Sequence, residues 1–218
     1  MIDLQETVIT EQLALRPPRL PDHVAENRGL RRLAEELANP KGNVLGLLCD
    51  LALELCHAQS AGVSLLQFDG TSKSFHWHAI SGAWSRFAGG GLPRDASPCG
   101  VVIDRNATLL MRRPGKVFPL VAAVEPELVE GLLAPFQILG EPVGTVWVLS
   151  HDENHKFNSE DVRVVESLAT FAAAAFLVRD TLDRTLLLNE ELIRARATYA
   201  RTLDRMSQSG TYAALPNP

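Results

Sequence analysis

The feature that most constrains the fold is a long helical pattern near the end of the chain. It begins within residues 158–161, whose acidic side chains suit the start of a helix, and continues to about Met206 without proline or glycine. A helix of about 45 residues is roughly 65 to 70 Å long. Only its first part, to about Val178, is apolar enough to lie on a sheet. We therefore expect residues 179–206 to project from the domain and residues 207–218 to form a disordered tail.

Before that helix, the spacing of apolar residues along the sequence changes several times. Residues 1–21 end in the proline-rich stretch RPPRLP and are predicted to be an extended or disordered lead-in. From Asp22 to Leu37, and again from Val44 to His57, apolar residues recur every three or four positions, as in two helices. Shorter β-branched and aromatic runs then predict strands at 61–69, 73–80, 107–111, 132–139 and 143–150.

The connections between these strands complete the predicted domain. Ser97 and Pro98 are typical of the start of a helix, which is predicted to run to about Arg105. Residues 84–98 and 114–130 are predicted to be irregular. This order of elements predicts an α+β fold over residues 22–178, with an antiparallel sheet of five or six strands, helices on one face and a long C-terminal helix.

Composition and charge exclude several classes of protein. The net charge is −5 and no block of Lys and Arg occurs, so nucleic acid is not an expected partner. No apolar run is long enough to span a bilayer, and the N-terminus lacks the pattern of a secretory signal. The three cysteines do not make a disulfide framework, and Cys49 and Cys56 are predicted to be buried thiols. This usage favours a reducing, cytoplasmic location.

Several segments resemble the GAF-domain family of bacterial signalling proteins, and in particular the sensory modules of certain sensor histidine kinases. They are AENRGLRRLAEELA, SAGVSLLQFD, FHWHAISGAW, LPRDASPCGVVIDRNATLL, LLAPFQILGEPVGTVWVLSHDE and FNSEDVRVVESLATFAAAA. Together they cover roughly residues 22–178. The hairpin with GEPVGTVWV and the central SPCGVVIDR are the most specific of these segments.

The resemblance implies a six-stranded antiparallel sheet with a ligand pocket on one face. It also implies helices on the other face that commonly pair two chains. Family ligands include cyclic nucleotides, bilins, haem and 2-oxo acids, so the cofactor stays unknown. This sequence has no histidine after His155 and no glycine-rich ATP lid, so kinase activity is not implied.

Cys99 is the most notable thiol of the sequence. It follows the Ser97 cap at the start of the short helix, where backbone N–H groups can lower the pKa of a thiol, and Gly100 leaves room for a ligand. The alternative is a small buried residue at a helix–sheet junction. In the bilin-binding branch of the family a histidine usually follows the cysteine, and the free methionine sulfoxide reductases need a second cysteine nearby. This sequence has neither, which weakens both interpretations.

Aromatic residues and histidines supply further candidates for ligand contact. His76 and His78 lie two apart on a predicted strand and therefore share a face, with Trp77 on the other. Without a third ligand they do not predict a metal site. Trp84 and Phe87 precede three glycines and predict a flexible aromatic flap over the pocket.

Polar residues around the short helix complete the candidate list. Asp104 and Arg105 are assigned either to the rim of the pocket or to the end of that helix, and Phe118 lies in the irregular stretch that follows. The polar segment from His151 to His155 is predicted to be a solvated connector. No catalytic or metal-binding residue is predicted.

The projecting part of the long helix carries the second functional signal. Its heptad positions alternate in steps of four and three, and the leucines and isoleucine among them favour a parallel homodimer over a solvated single helix, whereas Asn189, Arg196 and Ala200 weaken the pattern. The positions are Leu182, Leu186, Asn189, Ile193, Arg196, Ala200 and Leu203.

These features predict a non-catalytic sensory domain that binds an unidentified small molecule and signals through a dimeric helical stalk. The expected recipient is a separate partner such as a histidine kinase. Two alternatives remain open. One is a redox enzyme or redox sensor acting through Cys99, and the other is a ligand-free dimerisation or docking module.

Overall fold

A six-stranded antiparallel sheet is the centre of the computed structural model, which describes residues 4–68 and 70–208. The strands are β1 (Ser60–Phe68), β2 (Lys73–Gly82), β3 (Gly91–Pro93), β4 (Leu109–Arg112), β5 (Glu130–Ile138) and β6 (Glu141–Ser150). Their order in the sheet is β3-β2-β1-β6-β5-β4. The predicted α+β class is confirmed. The three-residue strand β3 was assigned to a loop, because its single apolar residue shows no alternation.

Helices cover both faces of this sheet. They are α1 (Leu4–Thr7), α2 (His23–Ala38), α3 (Val44–Cys56), α4 (Pro98–Arg105), α5 (Pro119–Ala122) and α6 (Ser159–Gln208). On one face, α3 packs on β1, β2 and β6, and α2 packs on α3. The short helices α4 and α5 cover the opposite face together with irregular segments.

The start of the chain differs from the predicted extended lead-in. From residue 4 it forms α1 and a 3-10 turn, and Val8 bridges to Met111 at the edge strand β4. Farther on, Arg16 donates to both carboxylate oxygens of the fully buried Glu130, at 2.7 and 2.9 Å, and to the carbonyl of Phe157 at 2.6 Å. Arg19 pairs with Asp161 at 3.0 Å. We call residues 4–19 the N-terminal strap. Long-range ion pairs hold it in place, and the local sequence does not reveal them.

The chain divides into two compact units between Ala175 and Phe176. In the second unit, the described part of α6 exposes apolar side chains at the predicted heptad positions Leu182, Leu186, Ile193 and Leu203. The helix continues to Gln208, beyond the predicted end, and the rest of the predicted tail lies outside the described residues. No described helix is both long and apolar enough to cross a membrane.

Candidate functional site

A small apolar cavity lies between the sheet and the segments that cover its second face. Its volume is about 30 Å³, close to the share of one water molecule in the liquid and well below typical small-molecule sites of about 300 to 1,000 Å³. The lining residues are Trp77, Trp84, Leu92, Pro98, Cys99, Val121, Val124, Leu128, Leu133, Trp147 and Leu149. Side chains therefore fill most of the space on this face.

All three tryptophans of the chain line this cavity. Trp84 lies 6.2 Å, between ring centroids, from both Trp77 and Trp147, in tilted and edge-on arrangements. The indole N–H of Trp147 donates to Ser64 Oγ at 2.8 Å, and that of Trp84 donates to the carbonyl of Pro126 at 2.9 Å. The indole N–H groups of Trp147 and Trp84 thus have acceptors, and the rings of these residues face the cavity.

A chain of polar side chains runs beneath the aromatic rings. Thr145 donates to Cys99 Sγ at 3.2 Å, and the Cys99 thiol lies 3.7 Å from Ser64 Oγ, as a weak donor. Ser97 caps α4 by accepting from the N–H of Gly100 at 3.2 Å, as the sequence predicts. Burial nevertheless raises the pKa of the Cys99 thiol, and the bonds to Thr145 and Ser64 only oppose that shift. The thiol is therefore protonated and poorly nucleophilic at neutral pH.

The side chain of His151 contacts three separate segments around the cavity. Its Nδ1 lies 2.8 Å from the carbonyl of Glu127, and its Nε2 lies 2.8 Å from Ser60 Oγ, which also accepts from the N–H of Trp84 at 3.1 Å. Its ring packs on Trp84 with 5.7 Å between centroids. A carbonyl only accepts, so Nδ1 carries the proton and the neutral ring accepts from Ser60. Burial lowers the pKa of His151, while the bond to Glu127 opposes the shift.

Two of the eight predicted ligand contacts line the cavity, and two more lie in the apolar cluster around it. Trp84 and Cys99 line it, Phe87 packs edge-on against Trp84 with centroids 6.2 Å apart, and Phe118 is buried in the same apolar cluster. Asp104 lies instead on the surface, paired with Arg94. Arg105, its neighbour at the end of α4, is also exposed.

The two histidines of β2 do not reach the cavity. The register between β1 and β2 shifts between Val63 and Ser64, whose partners are Ala79 and Trp77, so His78 is the extra residue of a β-bulge. His76 and His78 share a face, with ring centroids 6.5 Å apart, as predicted. The cavity face, however, is that of Trp77. His78 lines a polar groove of about 720 Å³ formed with α2 and α3.

Sequence reasoning missed several residues that build the site. The sequence prediction put Trp77 on the strand face that points away from the ligand. Phe75 lies two residues before it and therefore shares its face, and two large aromatics on one face of a strand indicate that this face is buried. Trp147 lies on the face of β6 that includes Thr145, and it packs over Gly62, where a Cβ would approach its ring to 2.2 Å. His151 was assigned to a solvated connector, but its ring is partly buried against Trp84. No sequence signal marks that contact.

A second depression lies on the outer side of α5 and has a volume of about 310 Å³. We call it the outer groove. It is lined by Gly115, Lys116, Val121, Ala122, Glu125, Glu127 and Leu128. Val121 and Leu128 therefore line both spaces. Among the described residues, no cluster of three or more His, Cys, Asp or Glu side chains could hold a metal ion.

Comparisons with known proteins show which structures share this architecture. Similar structures include the GAF domain of a phosphoenolpyruvate-protein phosphotransferase from Coxiella burnetii, with 18% identity, a TM-score of 0.58, and coverage of 75% of this chain and 99% of that one. The GAF-B domain of DevS from Mycobacterium smegmatis has 17% identity, a TM-score of 0.53, and coverage of 67% and 99%. The free methionine-R-sulfoxide reductase of Neisseria meningitidis has 14% identity, a TM-score of 0.55, and coverage of 77% and 98%.

At these identities the similar structures establish the fold alone. No curated protein sequence matches significantly. The GAF domain family matches residues 38–176, well over half of the sequence. That range holds the six strands and every residue that lines the cavity. The chain therefore belongs to the GAF-domain family, whose members are generally sensory or regulatory modules that bind small molecules.

Proposed function

We propose that this domain is a non-catalytic sensor whose ligand occupies the tryptophan-lined cavity. The observation that supports it best is the construction of the cavity. One wall is rigid sheet, and the other is made of α4, the four-residue helix α5 and irregular segments. Short elements with few buried contacts are the parts of a protein that rearrange at low cost. A ligand larger than 30 Å³ requires such a rearrangement.

In this proposal, the route from the cavity to α6 passes through the start of β5. Leu128 lines the cavity, and two residues later the buried carboxylate of Glu130 accepts from the N–H of Phe157 at 2.9 Å. The strap residue Arg16 holds both groups, and α6 begins at Ser159. Movement of residues 119–128 would therefore be transmitted to the first turn of α6 through these hydrogen bonds. In this proposal α6 passes the signal on by pairing with a second copy along its heptad positions.

The partner in this proposal is a separate signalling protein in the cytoplasm, such as a histidine kinase. The burial and raised pKa of Cys99 argue against the redox alternatives. The ligand-free docking module has one observation in its favour, namely the small size of the cavity. In that case the tryptophans would be an ordinary core, and the domain would act only through its surface.

Native mass spectrometry of the protein purified from its own host distinguishes these functions. The sensor is expected to carry a bound small molecule, or to bind one from a host extract with a change in tryptophan fluorescence. All three tryptophans line the cavity, so the fluorescence reports on it directly. A domain that stays empty, with unchanged fluorescence across the extract, would favour the docking module.

The proposed pairing of α6 has its own test. Leu186→Lys places a charge in the heptad seam and is expected to convert a dimer into a monomer in sedimentation experiments. Leu188→Lys changes an exposed leucine two positions away, off the seam, and is the matched control. Equal behaviour of the two variants would contradict pairing along this seam.

A further inference from the structure

The chemistry of the cavity lining limits what it can recognise. Among the described residues that line it, the only ionisable group is the Cys99 thiol, whose burial keeps it protonated. The indole N–H groups of Trp147 and Trp84 already donate, to Ser64 and to the carbonyl of Pro126. The hydroxyl of Thr145 is bonded to the thiol. The lining therefore offers aromatic and aliphatic surface but no partner for a charge.

The thinnest part of the boundary is the wall between the cavity and the outer groove. Val121 and Leu128 line both spaces, so the wall is one side chain thick at these positions. No side-chain hydrogen bond caps the start of α5. Toward its other end, Trp84, Arg86 and His151 bond the carbonyls of residues 125–127 at 2.7 to 2.9 Å. The 125–127 end is thus anchored, and the stretch around α5 has fewer restraints.

From this arrangement we propose that the ligand is an uncharged aromatic molecule of one or two rings. It enters from the outer groove by displacing Val121 and Leu128, and its rings pack against the tryptophans. This inference rests on the proposed sensory function and adds a ligand class to it. The cavity and the outer groove together reach the lower end of the usual range of small-molecule sites.

Charged groups fit poorly in the cavity itself, which is lined by apolar side chains and one thiol. Burying an ionised group without a partner costs several kcal/mol, which a small ligand cannot recover from apolar contacts. A cation could gain from the indole faces. The three rings, however, pack against one another with centroids about 6 Å apart instead of surrounding an open space. No carboxylate lies among the described residues that line the cavity, and Lys116, Glu125 and Glu127 line only the outer groove.

Calorimetric titration of the full chain with matched one-ring probes tests the ligand class. The probes are p-cresol, which is uncharged at neutral pH, phenylacetate as the anion and phenethylamine as the cation, with cyclic GMP as an anionic nucleotide. We expect p-cresol to bind at least about tenfold more tightly than any charged probe. Stronger binding of a charged probe would overturn the class, and Lys116→Ala would then show whether the outer groove recognises the anion.

A pair of variants tests the route of entry. Leu128→Ala removes part of the wall and is expected to tighten p-cresol binding about three- to tenfold, because less must be displaced. Leu120→Ala alters a half-exposed residue of α5 that does not line the cavity, and should leave binding unchanged. Unchanged or weaker binding by Leu128→Ala, with the control unaffected, would overturn this route.

Failure of this inference is distinguishable from failure of the sensory function. If none of the probes binds either wild type or Leu128→Ala, the ligand class is wrong. A charged molecule found on the host protein by native mass spectrometry would also overturn the class, while the sensory function would stand. An empty host protein would overturn the sensory function itself.

Discussion

The two faces of the sheet are built on different principles. On the helix face, the long helices α2, α3 and α6 pack aliphatic side chains such as Leu33, Leu48 and Val165, all fully buried. The gap where these three helices meet is about 10 Å³, and the large polar groove beside α2 and α3 lies outside this core. On the cavity face, short helices and loops cover large aromatic rings that need specific hydrogen bonds. A long helix cannot easily shift to fill a cavity, whereas short helices and loops can. We infer that the helix face provides stability and the cavity face provides adaptability.

Substitutions of two adjacent leucines of β5 give the most direct comparison of how the two faces tolerate a lost side chain. Leu132→Ala, on the helix face, is expected to lower the free energy of unfolding by about 3–4 kcal/mol, and Leu133→Ala, on the cavity face, by about 2–3 kcal/mol. Both side chains are almost completely buried, so the difference measures how far the surroundings relax. Urea denaturation at equilibrium provides the measurement. Equal costs, or a larger cost at Leu133, would contradict an adaptable cavity face.

A methyl group beneath an indole probes the tightest contact of the cavity face. Gly62→Ala would bring a Cβ to 2.2 Å from the ring of Trp147, so the ring must shift. We expect a cost of about 1–3 kcal/mol and an altered near-ultraviolet circular dichroism spectrum. Gly131→Ala is the control, because its Cβ meets a flexible Leu149 side chain at 3.2 Å. Similar spectra for both variants would show that Trp147 is already mobile.

Substitution of His151 tests how the cavity face is held closed. His151→Gln is expected to cost about 1–2 kcal/mol through loss of the bonds to Ser60 and Glu127. The pKa of His151 is lowered by burial, so below pH 6.5 the unfolded chain binds the proton more readily than the folded one. Wild type should therefore lose stability as pH falls from about 7 to 5, and the variant should lose less. Parallel profiles would contradict a buried neutral His151.

The smallest expected effect is at Cys99. Cys99→Ser should change stability by less than about 1 kcal/mol, because a hydroxyl can keep the bonds to Thr145 and Ser64. Cys49→Ser, on the helix face, should cost about 1–2 kcal/mol, because Cys49 is fully buried among apolar side chains and its contact with the carbonyl of Ala79 is long, at 3.6 Å. Thermal unfolding compares the two. A greater loss at Cys99 would mean that its polar neighbours do not tolerate a hydroxyl.

Local sequence patterns account for most of the fold and for part of the site. The helices α2 and α3, the two hairpins and the Ser97 cap follow from periodicity and capping, which depend on residues a few positions apart. The histidines of β2 do not line the tryptophan cavity, because alternation alone does not say which face of a strand borders a cavity. The histidines were chosen because their side chains bind ligands more often, but the structure buries the face that carries Phe75 and Trp77.

The contacts that the sequence does not reveal are those between distant segments. His151 acquires its role from Ser60 and Trp84, which lie on other elements of the fold. Arg16 and Glu130 are 114 positions apart, and no local pattern links them. Trp84 and Phe87 were singled out because two large aromatics rarely occur in a disordered loop, and the structure packs them against each other. Their role as a flexible flap over a ligand stays a prediction.

The ion pair between Arg16 and Glu130 has a practical consequence for anyone who trims this protein. A fragment cut at residue 38, where the family match begins, would lose Arg16, the cationic partner of the carboxylate of Glu130, which is fully buried in this structure. An unpartnered buried charge of this kind costs about 3–5 kcal/mol, a large fraction of the stability of an ordinary domain. Fragments chosen by homology alone are therefore expected to be poorly soluble, and those that retain the first residues should behave well.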